Sequence, residues 1–260
     1  MKYKYLSETI NIKKVAESDN KGTFNIENLY TGYGVTLANS LRRVLISSLP
    51  GAAISQVKIK GVKHEFSTIP GMIEDVVEFT INLKKIRFHF FAEEPQVLRL
   101  KIKGVKEVKA GDIESSPMVR VINPELHLAD LTSKKSDLDI ELTVEKGLGY
   151  VPVEARKAER LPVGTIIIDS VFSPVTNVEF KVEDMRVGER TDYNRIIMSI
   201  ETDGSITPTR ALRQASNILK DHFDKISTVE GGEEVVEISD EPKPKKKTRK
   251  TAAKKTAKKK

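Results

Sequence analysis

The sequence predicts an α+β fold in which antiparallel strands outnumber helices. Apolar and polar residues alternate over several short stretches, as in half-buried strands. Three other segments carry their apolar residues at helical spacing. Strand and helix patterns do not alternate regularly, as the crossovers of a parallel sheet would require.

The strands are read from their period of two. Leu98, Leu100 and Ile102 alternate with Arg99, Lys101 and Lys103. Leu138, Ile140, Leu142 and Val144 alternate with Asp139, Glu141 and Thr143, and Val178, Phe180 and Val182 sit between Asn177, Glu179, Lys181 and Glu183. In each case one face points to a core and the other to water. Ile166, Ile167 and Ile168 form a short continuous apolar run, the mark of a more buried strand. Turn signals separate these runs at Lys146-Gly147, Leu161-Pro162, Ser173-Pro174 and Asp203-Gly204.

The helices are read from spacings of three and four. Leu37, Leu41, Val44, Leu45 and Ser48 line one side of a helix over 35–48, which Pro50-Gly51 ends. A second helix is expected over 74–85, with Val76, Val77, Thr80, Ile81 and Lys84 at helical spacing. The third has Thr207 as N-cap and Pro208 at its first position, where the missing N–H costs nothing. Along it Leu212, Ala215, Leu219, His222 and Ile226 make a narrow stripe, flanked by Ile218 and Phe223. Such a stripe fits a helix–helix dimer seam or a helix packed on its own sheet, and spacing alone leaves both open.

The formal charge of +7 divides into +2 for residues 1–229, −6 for 230–241 and +11 for 242–260. Basic character therefore belongs to the last nineteen residues, and the body is close to neutral. The body is long enough for one large domain or two small ones. The absence of cysteine excludes disulfides, thiolate metal sites and a cysteine nucleophile. The N-terminus lacks the apolar run of a signal peptide, and no stretch has the length of a membrane helix, so a cytoplasmic protein is expected.

No catalytic constellation assembles from the residues. His64, His89, His127 and His222 are scattered singly, without the spacing of metal ligands. Gly32-Tyr33-Gly34 lacks the remainder of a phosphate-binding loop, and a glycine pair entering a helix more often serves the turn. Asp137 and Asp139 share a strand face and offer a magnesium-dependent alternative, although acids are expected on the wet side of an amphipathic strand. The body reads as a binding or assembly module.

Longer motifs identify its class. Gly34 to Gly51, GVTLANSLRRVLISSLPG, closely resembles the first-helix signature of the bacterial RNA polymerase alpha subunit. Arg190 to Leu219, RTDYNRIIMSIETDGSITPTRALRQASNIL, resembles that family's final strand and dimerisation helix. Between them Gly61–Ser67, Glu74-Asp75, Asn82–Lys84, Gly149–Pro152 and Asp169–Pro174 fall in the family's order, so the resemblance spans roughly residues 5–228.

The resemblance implies a two-part amino-terminal domain. Residues 1–50 and 176–229 would form a dimerisation part, a sheet with two helices, and 51–175 an inserted, mostly β lobe contacting the large subunits. The family dimer packs the 35–48 and 207–226 helices of both copies, which assigns dimerisation to Leu37, Leu41, Val44, Leu45, Leu212, Ala215, Leu219, Phe223 and Ile226. By position, Arg43 corresponds to a family arginine needed for beta binding, and Ile46, Lys84 and Ile168 to further large-subunit contacts. A guanidinium suits that task because it presents a planar fork to a carboxylate or carbonyl. The implied partners are a second copy, beta and beta-prime, with omega and sigma in the holoenzyme. No catalytic residue, cofactor or metal is expected in this chain; magnesium and zinc would belong to the large subunits.

The chain departs from the family pattern after Ser227. The usual linker and small helical DNA-binding domain are expected to be missing, replaced by an acidic linker at 230–241 and a Lys-rich tail at 242–260. Lysines separated by Pro, Ala and Thr cannot bury enough apolar area to fold, so a disordered tail is expected. Its Lys245, Lys246, Lys247, Arg249, Lys250, Lys254 and Lys255 would contact DNA phosphates without sequence preference, giving nucleoid association. The competing readings are a solubilising tail, or a free nucleoid-type protein whose tail is its main function.

Overall fold

The computed structural model describes residues 10–114, 116–156, 162 and 164–229. It is an α+β structure built around two separate hydrophobic cores.

The first core joins the two ends of the described chain. Strands β1 (Asn11–Glu17), β2 (Lys21–Leu29), β13 (Val175–Val187) and β14 (Arg190–Thr202) form an antiparallel sheet in the order β1-β2-β14-β13. Helices α1 (Tyr33–Ser47) and α4 (Pro208–Ser227) pack on it and on each other. Period two puts Phe24, Ile26, Ile196, Met198 and Ile200 under the helices, against Ala38, Leu41, Leu45, Ala211 and Ala215. The small alanines let the helix backbones lie close to the sheet. The Thr207 side chain caps α4 by accepting from the Arg210 N–H, and Pro208 opens the helix.

The second core lies in the intervening lobe. Strands β3 (Pro50–Ile59), β5 (Gln96–Lys103), β9 (Asp137–Leu148) and β11 (Thr165–Ile167) form an antiparallel sheet in the order β11-β3-β9-β5. The central β9 places Leu142 opposite Val57 on one side and Leu98 on the other. Helix α2 (Val76–Leu83) adds Val76, Phe79 and Leu83 to this core. Three ribbons complete the lobe: β4 (Phe88–Phe90) with β7 (Val119–Val121), β6 (Lys106–Lys109) with β8 (His127–Leu131), and β10 (Tyr150–Val151) with β12 (Ser170–Val171). A short helix, α3 (Val153–Arg156), follows β10.

Two elements differ in detail from their sequence expectation. Helix α2 is where expected, but its buried side is Val76, Phe79, Thr80 and Leu83, and Ile81 is exposed. Val76 and Thr80 lie on the expected side, but Phe79 and Leu83, three and seven residues after Val76, complete the buried stripe in place of Ile81 and Lys84. On α4 only Pro208, Ala211 and Ala215 are buried, and everything from Lys220 to Val229 is exposed.

Candidate subunit-assembly surface

The second half of α1 carries exposed cations and an exposed apolar side chain. Arg42 and Arg43 are both exposed, and among the described residues neither guanidinium has a hydrogen-bond or ion-pair partner. Ile46 follows one turn later, 42% exposed. The end of this helix touches the β10–β12 ribbon, where a Cβ on Gly149 would lie 3.2 Å from the Ser47 carbonyl oxygen. Gly149 has φ +61°, and its carbonyl accepts the Phe172 N–H at 2.8 Å, so the turn needs glycine for conformation and for space.

The ribbon carries apolar side chains outward. Tyr150 pairs with Val171 across it, and Leu148, Tyr150 and Val171 are all exposed. Ser170 pins the ribbon to β3 by donating from Oγ to the Ile54 carbonyl at 3.0 Å. At its far end the Asp169 carboxylate accepts the Val153 N–H at 2.9 Å and the Lys84 ammonium at 2.8 Å. The Lys84 bond, then the Val153 N–H, holds the Asp169 carboxyl below its ordinary range against the opposing effect of burial. The end of α1 thus adjoins the β10–β12 ribbon at Ser47 and Gly149, and the ribbon leads on to the Asp169–Lys84 pair.

Of the four expected contact residues, Arg43 and Ile46 are exposed and Lys84 is partly exposed. Ile168 does not share their exposure. It is 2% exposed and packed in the second core, with its N–H donated to the Ser55 carbonyl. Its side chain faces inward. The exposed Leu148, Tyr150 and Val171 were not singled out from sequence. Leu148 ends β9 and the other two sit in two-residue strands, so local pattern gives no sign of them, and only the pairing of distant segments brings Tyr150 and Val171 together.

A second apolar surface occupies the outer half of α4. Phe223 and Ile226 are 61% and 62% exposed, and Leu212 and Leu219 are half-buried at the edge of the first core. Leu37 and Val44 of α1 are similarly half-buried. Leu41, Leu45 and Ala215 are buried in the first core.

The histidines meet different fates. His127 sits between the carboxylates of Glu74, at 3.2 Å, and Glu107, at 3.4 Å. Burial lowers its pKa, but the bonds to Glu74 and Glu107 outweigh it and the net shift is upward. Among the described residues, Glu74, His127 and Asp130 are the set of donor atoms close enough to hold a metal ion, within 4.8 Å of one another. The imidazole and the Glu74 carboxylate already satisfy each other there, and the Asp130 N–H donates to Glu74. Asp137 lies 3.9 Å from both Lys60 and Lys103, the arrangement of a salt-bridged wet strand face. No helix of the described residues is long and apolar enough to cross a membrane. The tail cations Lys245, Lys246, Lys247, Arg249, Lys250, Lys254 and Lys255 lie outside the described residues.

Comparison with known proteins decides the family. Residues 57–173 match the model described as the RNA polymerase Rpb3/RpoA insert domain, a span that holds the second core and the β10–β12 ribbon. A DNA-directed RNA polymerase subunit alpha from Symbiobacterium thermophilum is 46% identical over 222 residues, 85% of this chain and 70% of the relative. The chain belongs to the DNA-directed RNA polymerase alpha-subunit family. Alpha subunits from Alkaliphilus oremlandii, 44% identical over 88% of this chain and 72% of the relative, and Limosilactobacillus reuteri, 46% identical over 83% and 69%, agree. Membership of the alpha family places the chain in a transcribing nucleotidyltransferase complex.

Proposed function

We propose that this chain is the dimeric, non-catalytic platform on which the large polymerase subunits assemble. The observation that carries the reading is the pair of outward surfaces that its own fold leaves uncovered. Two protomers meet through α4 and the edge of α1, burying Phe223 and Ile226 with Leu212, Leu219, Leu37 and Val44. Fully burying a large apolar side chain contributes roughly 1.5–3 kcal/mol. Two-fold symmetry counts each side chain twice, which offsets an association cost of about 4–15 kcal/mol.

The Arg43–Ile46–Tyr150–Val171 surface receives beta on one copy and beta-prime on the other. An unpartnered arginine beside exposed aromatic and aliphatic side chains is the usual composition of an interface centre. In this reading the polymerase's metals and catalytic groups reside in the large subunits, and omega and sigma join the assembled enzyme in the cytoplasm.

The segment 242–260 adds non-specific DNA contact, supported by its eleven cations without an acid. Engaging ~5 phosphates would give a log–log salt slope near −4 to −5. Titrating assembled polymerase lacking 242–260 against duplex DNA should flatten that slope, and an unchanged slope would exclude the tail.

Sedimentation analysis tests the dimer. The full chain should sediment as a dimer, and Phe223→Asp with Ile226→Asp should sediment as a folded monomer. A monomeric wild type, or an unperturbed dimer in the double variant, would rule out this seam.

A further inference from the structure

A cleft of about 240 Å³ lies where the two cores meet, between the start of β3, the strand β4 and the first turns of α4. Two cations line it from opposite elements, Lys146 on β9 and Arg210 on α4, both exposed. Among the described residues neither has a carboxylate partner. Three acids of adjoining segments are engaged elsewhere. Asp203 accepts from the Ser205 N–H at 2.9 Å and faces Arg87 at 3.7 Å. Glu145 is paired with Arg156, and Glu17 is held by Thr209 and Lys14.

One stretch of the wall, along β4, is aromatic. His89 and Phe91, two residues apart on one side of β4, stack with ring centroids 6.3 Å apart and planes inclined by 19°. Phe91 is 69% exposed. It is not on a loose loop: Phe90 is paired with Val119 and the Phe91 N–H donates to the Met118 carbonyl.

We propose that this cleft binds a mononucleotide. The stacked His89–Phe91 face takes the base, and Lys146 and Arg210 take the phosphates. Aromatic stacking accepts any base, and guanidinium and ammonium groups without a carboxylate are suited to phosphate oxygens. The volume lies just below the ~300–1,000 Å³ of common small-molecule sites, which fits one nucleotide with phosphates trailing along the open side. Binding would bridge the lobe that carries β4 and the body that carries α4.

Photolabelling of the full chain with 8-azido-ATP, mapped by mass spectrometry, tests the assignment. Label should appear on the peptide containing His89 and Phe91 and be displaced by ATP. Combining Lys146→Ala with Arg210→Ala should lower that labelling about tenfold, one RT ln 10 step in affinity. Phe91→Ala should weaken displacement by ATP while leaving displacement by inorganic tripolyphosphate, which has no base, unchanged. All three substituted positions are exposed, so unchanged thermal melting certifies folded variants. Label confined to 242–260, or label at 88–91 that ignores both sets of substitutions, would overturn the proposal.

Discussion

Lys84 Nζ donates to one oxygen of Asp169 at 2.8 Å while the other oxygen accepts the Val153 N–H at 2.9 Å, so a single carboxylate ties α2, the β11–β12 turn and the start of α3. The two partners should therefore differ in cost. Lys84→Ala removes a half-exposed ion pair and should cost about 0.5–1 kcal/mol. Asp169→Ala also orphans the Val153 N–H and should cost about 1–2 kcal/mol in urea unfolding. Equal costs would show that the backbone bond contributes nothing.

Glu17 supplies the acid that the first turn of α4 lacks. Its carboxylate on β1 accepts from the Thr209 Oγ at 2.6 Å and from the Thr209 N–H at 3.0 Å. Lys14 and then Thr209 hold its pKa down to about 2. A depressed carboxyl contributes stability in full above its unfolded value of about 4.5 and loses it as pH falls toward 2. Glu17→Gln should cost about 0.5–1 kcal/mol at pH 7 and flatten the stability profile between pH 5 and 3, read by thermal melting.

His127 gives the opposite sign. Its raised pKa means that pairing with Glu74 and Glu107, in the field of Asp130, stabilises the fold fully below the unfolded value of about 6.5. The contribution disappears as pH rises through the folded value. His127→Gln should remove a small stability decline between roughly pH 6 and 8, on the order of an exposed pair at ~0.2–1 kcal/mol. A decline that survives the substitution belongs to another group.

Gly51 tests the junction between the two cores. A Cβ there would fall 1.8 Å from the Phe172 carbonyl oxygen, and backbone cannot yield as a flexible side chain can. Gly51→Ala should destabilise by more than about 2 kcal/mol in equilibrium unfolding.

Much of the fold was readable from local pattern. The β5, β9 and β13 alternations and the Thr207-Pro208 start of α4 each depend on neighbouring residues alone, and the structure places them as expected. The contact surface was less accessible. Tyr150 and Val171 meet by pairing of strands distant in sequence, and His127 meets Glu74 across 53 residues. Burial was hardest: Ile168, Leu41 and Ala215 are apolar in sequence just as Ile46 and Phe223 are, and only packing separates core from surface. The motif from Gly34 to Gly51 identified the family because it fixes a long run of residue types at once.

The most direct measurement is recovery of the full chain with an affinity-tagged beta subunit, comparing wild type with Arg43→Ala. Arg43 has no partner among the described residues and is exposed, so its loss should leave folding and dimerisation intact. The platform account predicts that wild type is retained with beta and that Arg43→Ala falls at least about tenfold, the loss expected of a central interface arginine. Wild type that fails to be recovered with beta, or Arg43→Ala recovered equally well, would contradict it.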